Sequence, residues 1–201
     1  MIVIVDYGMG NLRSVSKALE HLGGKIKISS VPKEIEKADK LVLPGVGAFG
    51  DAMRELRVLK LPGPIRQHIA RKKPFLGICL GLQLLFETSE ESPEAEGLGT
   101  FPGKVLRFQS RGVKVPHMGW NQIHIEQKHP LLKGIPDESF FYFVHSYYAL
   151  PAEPKLVAAS CRYGDEDFAA VLGAENLFAA QFHPEKSQDA GLKILKNFLA
   201  W

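Results

Sequence analysis

Cys79 stands between two glycines, in Gly77-Ile78-Cys79-Leu80-Gly81. That is the spacing of a Gly-x-nucleophile-x-Gly elbow, with sulfur in place of a serine hydroxyl. A strand that passes straight into a helix leaves its middle residue in a strained backbone region, and glycines two residues either side relieve the crowding. The strain aims the thiol out of the sheet, and the N-terminus of the following helix favours thiolate over thiol. On this pattern alone, a small buried cysteine in an ordinary turn is an equal reading. A nucleophilic thiol also needs a base, and the base needs an orienting group. His183-Pro184-Glu185 offers both. The imidazole can take the thiol proton and return it to a leaving amine, while Glu185 accepts a hydrogen bond from the other ring nitrogen. The chain has seven histidines, and His145, in His145-Ser146-Tyr147-Tyr148, is the rival base. His183 is preferred because a carboxylate stands two residues beyond it.

The elements that must position these groups read as an α/β chain. Ile2–Val5, Lys25–Ile28, Leu41–Leu43 and Phe75–Ile78 are short apolar runs, typical of a parallel sheet covered on both faces. Asn11 can cap a helix carrying Leu12, Val15, Leu19 and Leu22, which Gly23-Gly24 ends. Pro44-Gly45-Val46-Gly47-Ala48-Phe49-Gly50 is a glycine-rich loop at the carboxyl end of a strand, the edge where open α/β sheets bind ligands. Such a loop can aim a backbone N–H at a developing oxyanion. Two helices, 52–58 and 65–71, follow, parted by Pro62 and Pro64. Leu82, Leu85 and Phe86 continue a helical pattern after Cys79, and the acidic segment 90–97 reads as a solvated loop. The second half changes rhythm, with short strand candidates at 104–108, 122–126, 140–144, 156–161 and 168–172, which suggests an antiparallel region. A final strand at 177–182 and a closing helix at 189–201 complete a central, mostly parallel twisted sheet flanked by helices.

Length and composition fit a single domain over residues 1–201, with 45% apolar and 23% charged residues. A net charge of +3 without a long basic run is only a weak argument for nucleic acid or a membrane surface, and neither is expected. Two cysteines, Cys79 and Cys161, indicate neither a disulfide framework nor a zinc site, and His183 with Glu185 lacks a further metal ligand. Gly8-x-Gly10 lacks the third glycine of a dinucleotide fingerprint, since Arg13 stands there. With no basic, apolar start and no spanning run, the expected compartment is the cytoplasm.

Gly77-Ile78-Cys79-Leu80-Gly81-Leu82-Gln83 together with His183-Pro184-Glu185 resembles the triad-type, class I glutamine amidotransferases. The resemblance extends through Asp6-Tyr7-Gly8-Met9-Gly10-Asn11, Pro44-Gly45-Val46-Gly47, Pro116-His117-Met118-Gly119-Trp120-Asn121, Tyr142-Phe143-Val144-His145-Ser146-Tyr147 and His183-Pro184-Glu185-Lys186-Ser187. Together these are similar to the glutaminase subunits that feed a cyclase in bacterial and archaeal histidine biosynthesis. The resemblance implies a flavodoxin-like amidotransferase fold and no cofactor. It implies that Cys79 attacks the glutamine side-chain amide, His183 protonates departing ammonia and Glu185 holds His183. The oxyanion would meet the N–H groups of Leu80 and Gly47, with the peptide at Val46 turning into the productive state. Gln83, Gly45, His145, Ser146 and Tyr147 would contact the substrate, although Gln83 read without the family is an exposed helix residue. The implied partner is a (β/α)8-barrel cyclase in a heterodimer, with Asn11, Trp120, Lys186 and Ser187 near the interface and ammonia passage. Another triad glutaminase, serving a pyridoxal phosphate or anthranilate synthase, a non-catalytic assembly subunit, and a cysteine hydrolase of peptides or esters are the alternatives.

Overall fold

The computed structural model describes residues 1–109 and 112–201. In its first half, strands β1 (Ile2–Val5), β2 (Ile26–Ser29), β3 (Lys40–Gly45) and β4 (Phe75–Cys79) alternate with helices α1 (Leu12–His21), α2 (Pro32–Lys37), α3 (Phe49–Val58) and α4 (Pro62–Ala70). One helical turn, α5 (Leu80–Gln83), follows β4 directly. The second half holds β5 (Thr88–Ser89), β6 (Gly103–Arg107), β7 (His117–Gln122), β8 (His124–Ile125), β9 (Phe140–His145) and β10 (Tyr147–Pro151). It closes with β11 (Val157–Tyr163), β12 (Glu166–Ala174), β13 (Leu177–Ala180) and α6 (Gln188–Ala200).

The main sheet has eight strands in the order β2-β1-β3-β4-β13-β12-β11-β8. Strands β2 to β13 in that order pair parallel, and β12, β11 and β8 are added antiparallel. Alternation along each central strand sends neighbouring side chains to opposite faces. Ile2, Ile4, Leu76 and Ile78 pack with Val15, Leu19, Ile194 and Phe198 of α1 and α6. Val3, Val5, Leu41 and Phe75 pack on the other side with Ile35, Met53, Leu56 and Ile65 of α2, α3 and α4. A three-stranded sheet, β10-β6-β5, and a two-stranded ribbon, β7-β9, lie outside this layer.

Several sequence expectations need correction. The helix after Cys79 is a single turn, because the chain turns back on itself from Leu84 onward with Leu98 N–H and Thr100 N–H donating to the Leu84 and Leu85 carbonyls. Two helices are present as read, but Pro62 and Pro64 lie within the first turn of α4 rather than between the helices, at positions where a missing N–H costs nothing. Strand β3 runs on through Pro44 and Gly45, pairing with Ile78 and Cys79. The segment 90–97 is more than a solvated loop. Helix α3 has no capping side chain of its own at Ala48, and Glu91 and Ser92 accept from Phe49 N–H at 2.7 Å and Gly50 N–H at 3.1 Å.

Candidate active site

Cys79 ends β4 with φ 53° and ψ −111°, a left-handed conformation that a non-glycine residue holds only under tertiary constraint. The constraint is visible at Gly81, where a Cβ would run into the Leu43 carbonyl oxygen. Glycine there lets the turn after the nucleophile press against β3. The two strands beside β4 bring the remaining groups to the same edge. On one side β3 ends at Gly45, paired with Cys79, and leads into Val46 and Gly47, the latter at φ +97°. On the other side β13 pairs Ala180 with Ile78, so that Gln181, Phe182 and His183 emerge next to the elbow.

These residues surround a cavity of about 360 Å³. Cys79, His183, Leu80, Gln83, Val46 and Gly47 line it from the main sheet, and His145, Ser146 and Tyr147 from the β9–β10 turn. Gly45 is buried beneath Tyr7 and Leu80 and does not line it. Tyr7 Oη donates to the Pro44 carbonyl at 3.0 Å and so pins the start of the glycine loop.

Behind the cavity, His183 Nδ1 donates to Glu185 Oε1 at 2.9 Å, both side chains almost wholly buried. This bond keeps a proton on Nδ1 and leaves Nε2 as the nitrogen that exchanges a proton with the sulfur. Burial opposes the imidazolium, yet Cys79 and the Glu185 carboxylate outweigh it and push the His183 pKa up to about 10. Among the described residues Nε2 has no partner that meets strict hydrogen-bond geometry, although the sulfur is near enough to raise the ring's pKa. Ser187 locks the base in place from below. Its hydroxyl donates to the His183 carbonyl at 2.6 Å and accepts from Tyr142 N–H at 3.0 Å.

His145 is not available as the rival base. Its Nδ1 lies 2.8 Å from the Tyr147 carbonyl, which can only accept, so Nδ1 carries the proton. Nε2 must then accept, and it does so from His117 Nδ1 at 3.1 Å. His117 Nε2 in turn accepts from Asn121 Nδ2 at 3.3 Å. Every nitrogen in the relay is used, which leaves His145 only ring carbons to offer the cavity. Burial lowers the His145 pKa to about 3, against the Tyr147 hydrogen bond and with the charges of His117 and His183, and burial lowers His117 to about 4. Both rings stay neutral near pH 7.

Gln83 is buried rather than exposed, and its amide N–H groups donate to the Tyr147 carbonyl at 2.9 Å and to Gln181 Oε1 at 3.1 Å. Gln181 was missed in the sequence because it sits in an apolar run that reads as strand interior. A single amide in such a run, next to the histidine, was the available signal. Of the expected interface residues, Trp120 and Lys186 are exposed, and Lys186 Nζ lies over the Tyr142 ring at 5.8 Å. Asn11 is half-buried, its side chain capping α1 by accepting from Ser14 N–H at 3.3 Å. Ser187 is buried. Among the described residues, no group of three His, Cys, Asp or Glu side chains converges as a metal site.

The family model of glutamine amidotransferase class-I matches residues 3–201. The chain is a class-I glutamine amidotransferase. This amidotransferase is 56% identical over 200 residues to the imidazole glycerol phosphate synthase subunit HisH of Methanosarcina acetivorans, covering 98% of this chain and 97% of that protein. It is 53% identical over 204 residues to the subunit of the same name from Nitrosococcus oceani, covering 100% and 97%. Among solved structures, a glutamine amidotransferase crystal structure aligns with TM-score 0.76 over 100% of both chains at 20% identity. PurLQS from Thermotoga maritima gives TM-score 0.78 at 20% identity, covering 99% of this chain and 97% of that one. At that identity these likenesses establish the amidotransferase fold alone.

Proposed function

We propose that this amidotransferase, a single domain over residues 1–201 acting in the cytoplasm, is the glutaminase subunit of an imidazole glycerol phosphate synthase. The observation that carries the proposal is identity above one half, along nearly the whole chain, to proteins named as HisH subunits. The partner is then a (β/α)8-barrel cyclase subunit of the HisF type. It receives ammonia and forms imidazole glycerol phosphate and the aminoimidazole carboxamide ribotide AICAR in histidine biosynthesis.

The chemistry follows from the site. Cys79 Sγ attacks the side-chain carbonyl carbon of L-glutamine as its proton passes to His183 Nε2. The tetrahedral oxyanion is met by the N–H groups of Leu80 and Gly47. His183 returns the proton to the amide nitrogen, the C–N bond breaks and ammonia leaves, with a glutamyl thioester remaining on Cys79. Water then attacks the thioester, its proton passing through His183 to the sulfur, and glutamate leaves. Glu185 holds the tautomer throughout.

Support for a partner comes from the ribbon. Trp120 pairs with Tyr142 and Met118 with Val144, so these residues share one face. Met118 is 63% and Trp120 46% exposed, and Val144 also lines the cavity. An apolar face next to a hydrolytic cavity suits a partner that takes up the product before it is protonated in bulk water. The glycine loop suits a gate, since Val46 is exposed and Gly47 has the freedom to turn its peptide. The test is glutamine hydrolysis by the purified chain, alone and with a HisF-type cyclase and its nucleotide ligand. Glutamate release should be slow alone and rise on complex formation. Equal rates would refute gating, and failure to form imidazole glycerol phosphate from glutamine in the complex would refute the assignment.

A further inference from the structure

Gln181 is completely buried, and its amide Nε2 lies 3.8 Å from Cys79 Sγ. Which end of the carboxamide faces the sulfur follows from the hydrogen bonds behind it. The Tyr147 carbonyl is backbone and can only accept, so the group that Gln83 places 2.9 Å from it must be NH2. The same NH2 lies 3.1 Å from the Gln181 side chain, which must therefore offer its oxygen. Turning Gln181 over would set two donors against each other, and turning Gln83 as well would set its oxygen against the Tyr147 carbonyl. Burial makes either arrangement costly, because water cannot rescue the unpaired groups. The Tyr147 carbonyl thus determines, through two amides, that the sulfur meets an N–H.

We propose that Gln181 is a positioning residue for Cys79, which presents a fixed N–H donor to the sulfur, favours its anionic form and holds its rotamer toward the cavity. Gln83 acts through Gln181 as well as lining the cavity. The inference rests on Cys79 being the nucleophile, but its test is independent of turnover. An N–H donor stabilises a thiolate more than a thiol, so its removal raises the pH at which the sulfur becomes reactive.

The experiment is the pH profile of alkylation of the full chain by iodoacetamide, with the labelled peptide identified by mass spectrometry so that Cys79 is read apart from Cys161. Gln181→Met keeps the length and loses the donor. It should move the Cys79 midpoint upward by about one pH unit, an order of magnitude in thiolate fraction at fixed pH below the midpoint. It should lower kcat about tenfold and leave KM nearly unchanged. Gln181→Glu, which sets a carboxylate against the sulfur, should move the midpoint further in the same direction. Should Gln181→Met fail to fold by circular dichroism, Gln83→Met releases the orientation of Gln181 and should raise the midpoint by a smaller amount. A wild-type profile in whichever of the two methionine variants is folded would overturn the proposal. Unchanged glutamine turnover in Cys79→Ala would instead overturn the nucleophile assignment, without touching the alkylation result.

Discussion

Replacing Glu185 by Gln tests the geometry of the base most directly. The carboxylate, almost wholly buried, accepts from His183 Nδ1 at 2.9 Å, and its second oxygen has no hydrogen-bond partner among the described residues. A hydrogen bond to a charged group contributes about 1.5–3 kcal/mol, so its loss alone slows turnover by roughly 10- to 150-fold. Glutamine adds a second effect. It can turn its NH2 toward Nδ1, which makes Nδ1 the acceptor and moves the ring proton to Nε2, where the thiol proton should go. In a serine protease triad the corresponding wrong tautomer costs about 10⁴ in kcat. The expected loss in kcat for Glu185→Gln is therefore between about 10² and 10⁴, with KM changed little, because Glu185 lies behind the imidazole. Steady-state glutamate release in the presence of the cyclase measures it. Nitrogen NMR of His183 reads the tautomer independently. A kcat within threefold of the unsubstituted protein, with the Nδ1–H tautomer intact, would refute the reasoning.

The buried histidine relay makes stability sensitive to acid. The pKa values of His145 and His117 in the fold, about 3 and about 4, lie below the ordinary 6.5, so as pH falls through 6.5 the unfolded chain binds protons that the native chain refuses. Stability should therefore fall between pH 6.5 and about 3, with His145 alone removing about 2 kcal/mol by pH 5. Urea unfolding at pH 7.5 and pH 5 checks this, and a midpoint independent of pH would contradict it. Ser187→Ala removes two hydrogen bonds, a buried one at 2.6 Å and a part-buried one at 3.0 Å. It should cost about 1–3 kcal/mol in the same unfolding assay and lower kcat by loosening the His183 backbone.

Much of the fold was legible because its central strands are buried on both faces and read as unbroken apolar runs, as in Ile2–Val5 and Phe75–Ile78. The elbow and the His-x-Glu pair were legible for a related reason: strained turns and proton relays admit few residue types. Strand β7 was not. His117-Met118-Gly119-Trp120-Asn121-Gln122 has no alternation to follow, and it is extended because β9 pairs with it along its whole length. Helix α2, at Pro32–Lys37, is a six-residue segment with one buried side chain, Ile35, and so carries almost no periodic signal. The roles of Gln83, Gln181 and His117 depend on hydrogen bonds across 98, 102 and 28 residues of chain, and local spacing carries no trace of such contacts.

The sulfur and the imidazole follow from two neighbouring strands, β4 and β13, and ladder bonds set the interval between them. Their mutual distance thus shares the stiffness of the molecule's most protected layer, and mild warming should leave the chemistry in register until the whole structure melts. Val46 and Gly47 fall just past the last rung of β3, outside that grip. A partner wishing to quicken or quiet this machine has one inexpensive handle, a single peptide plane at the rim, while the anvil beneath it stays still.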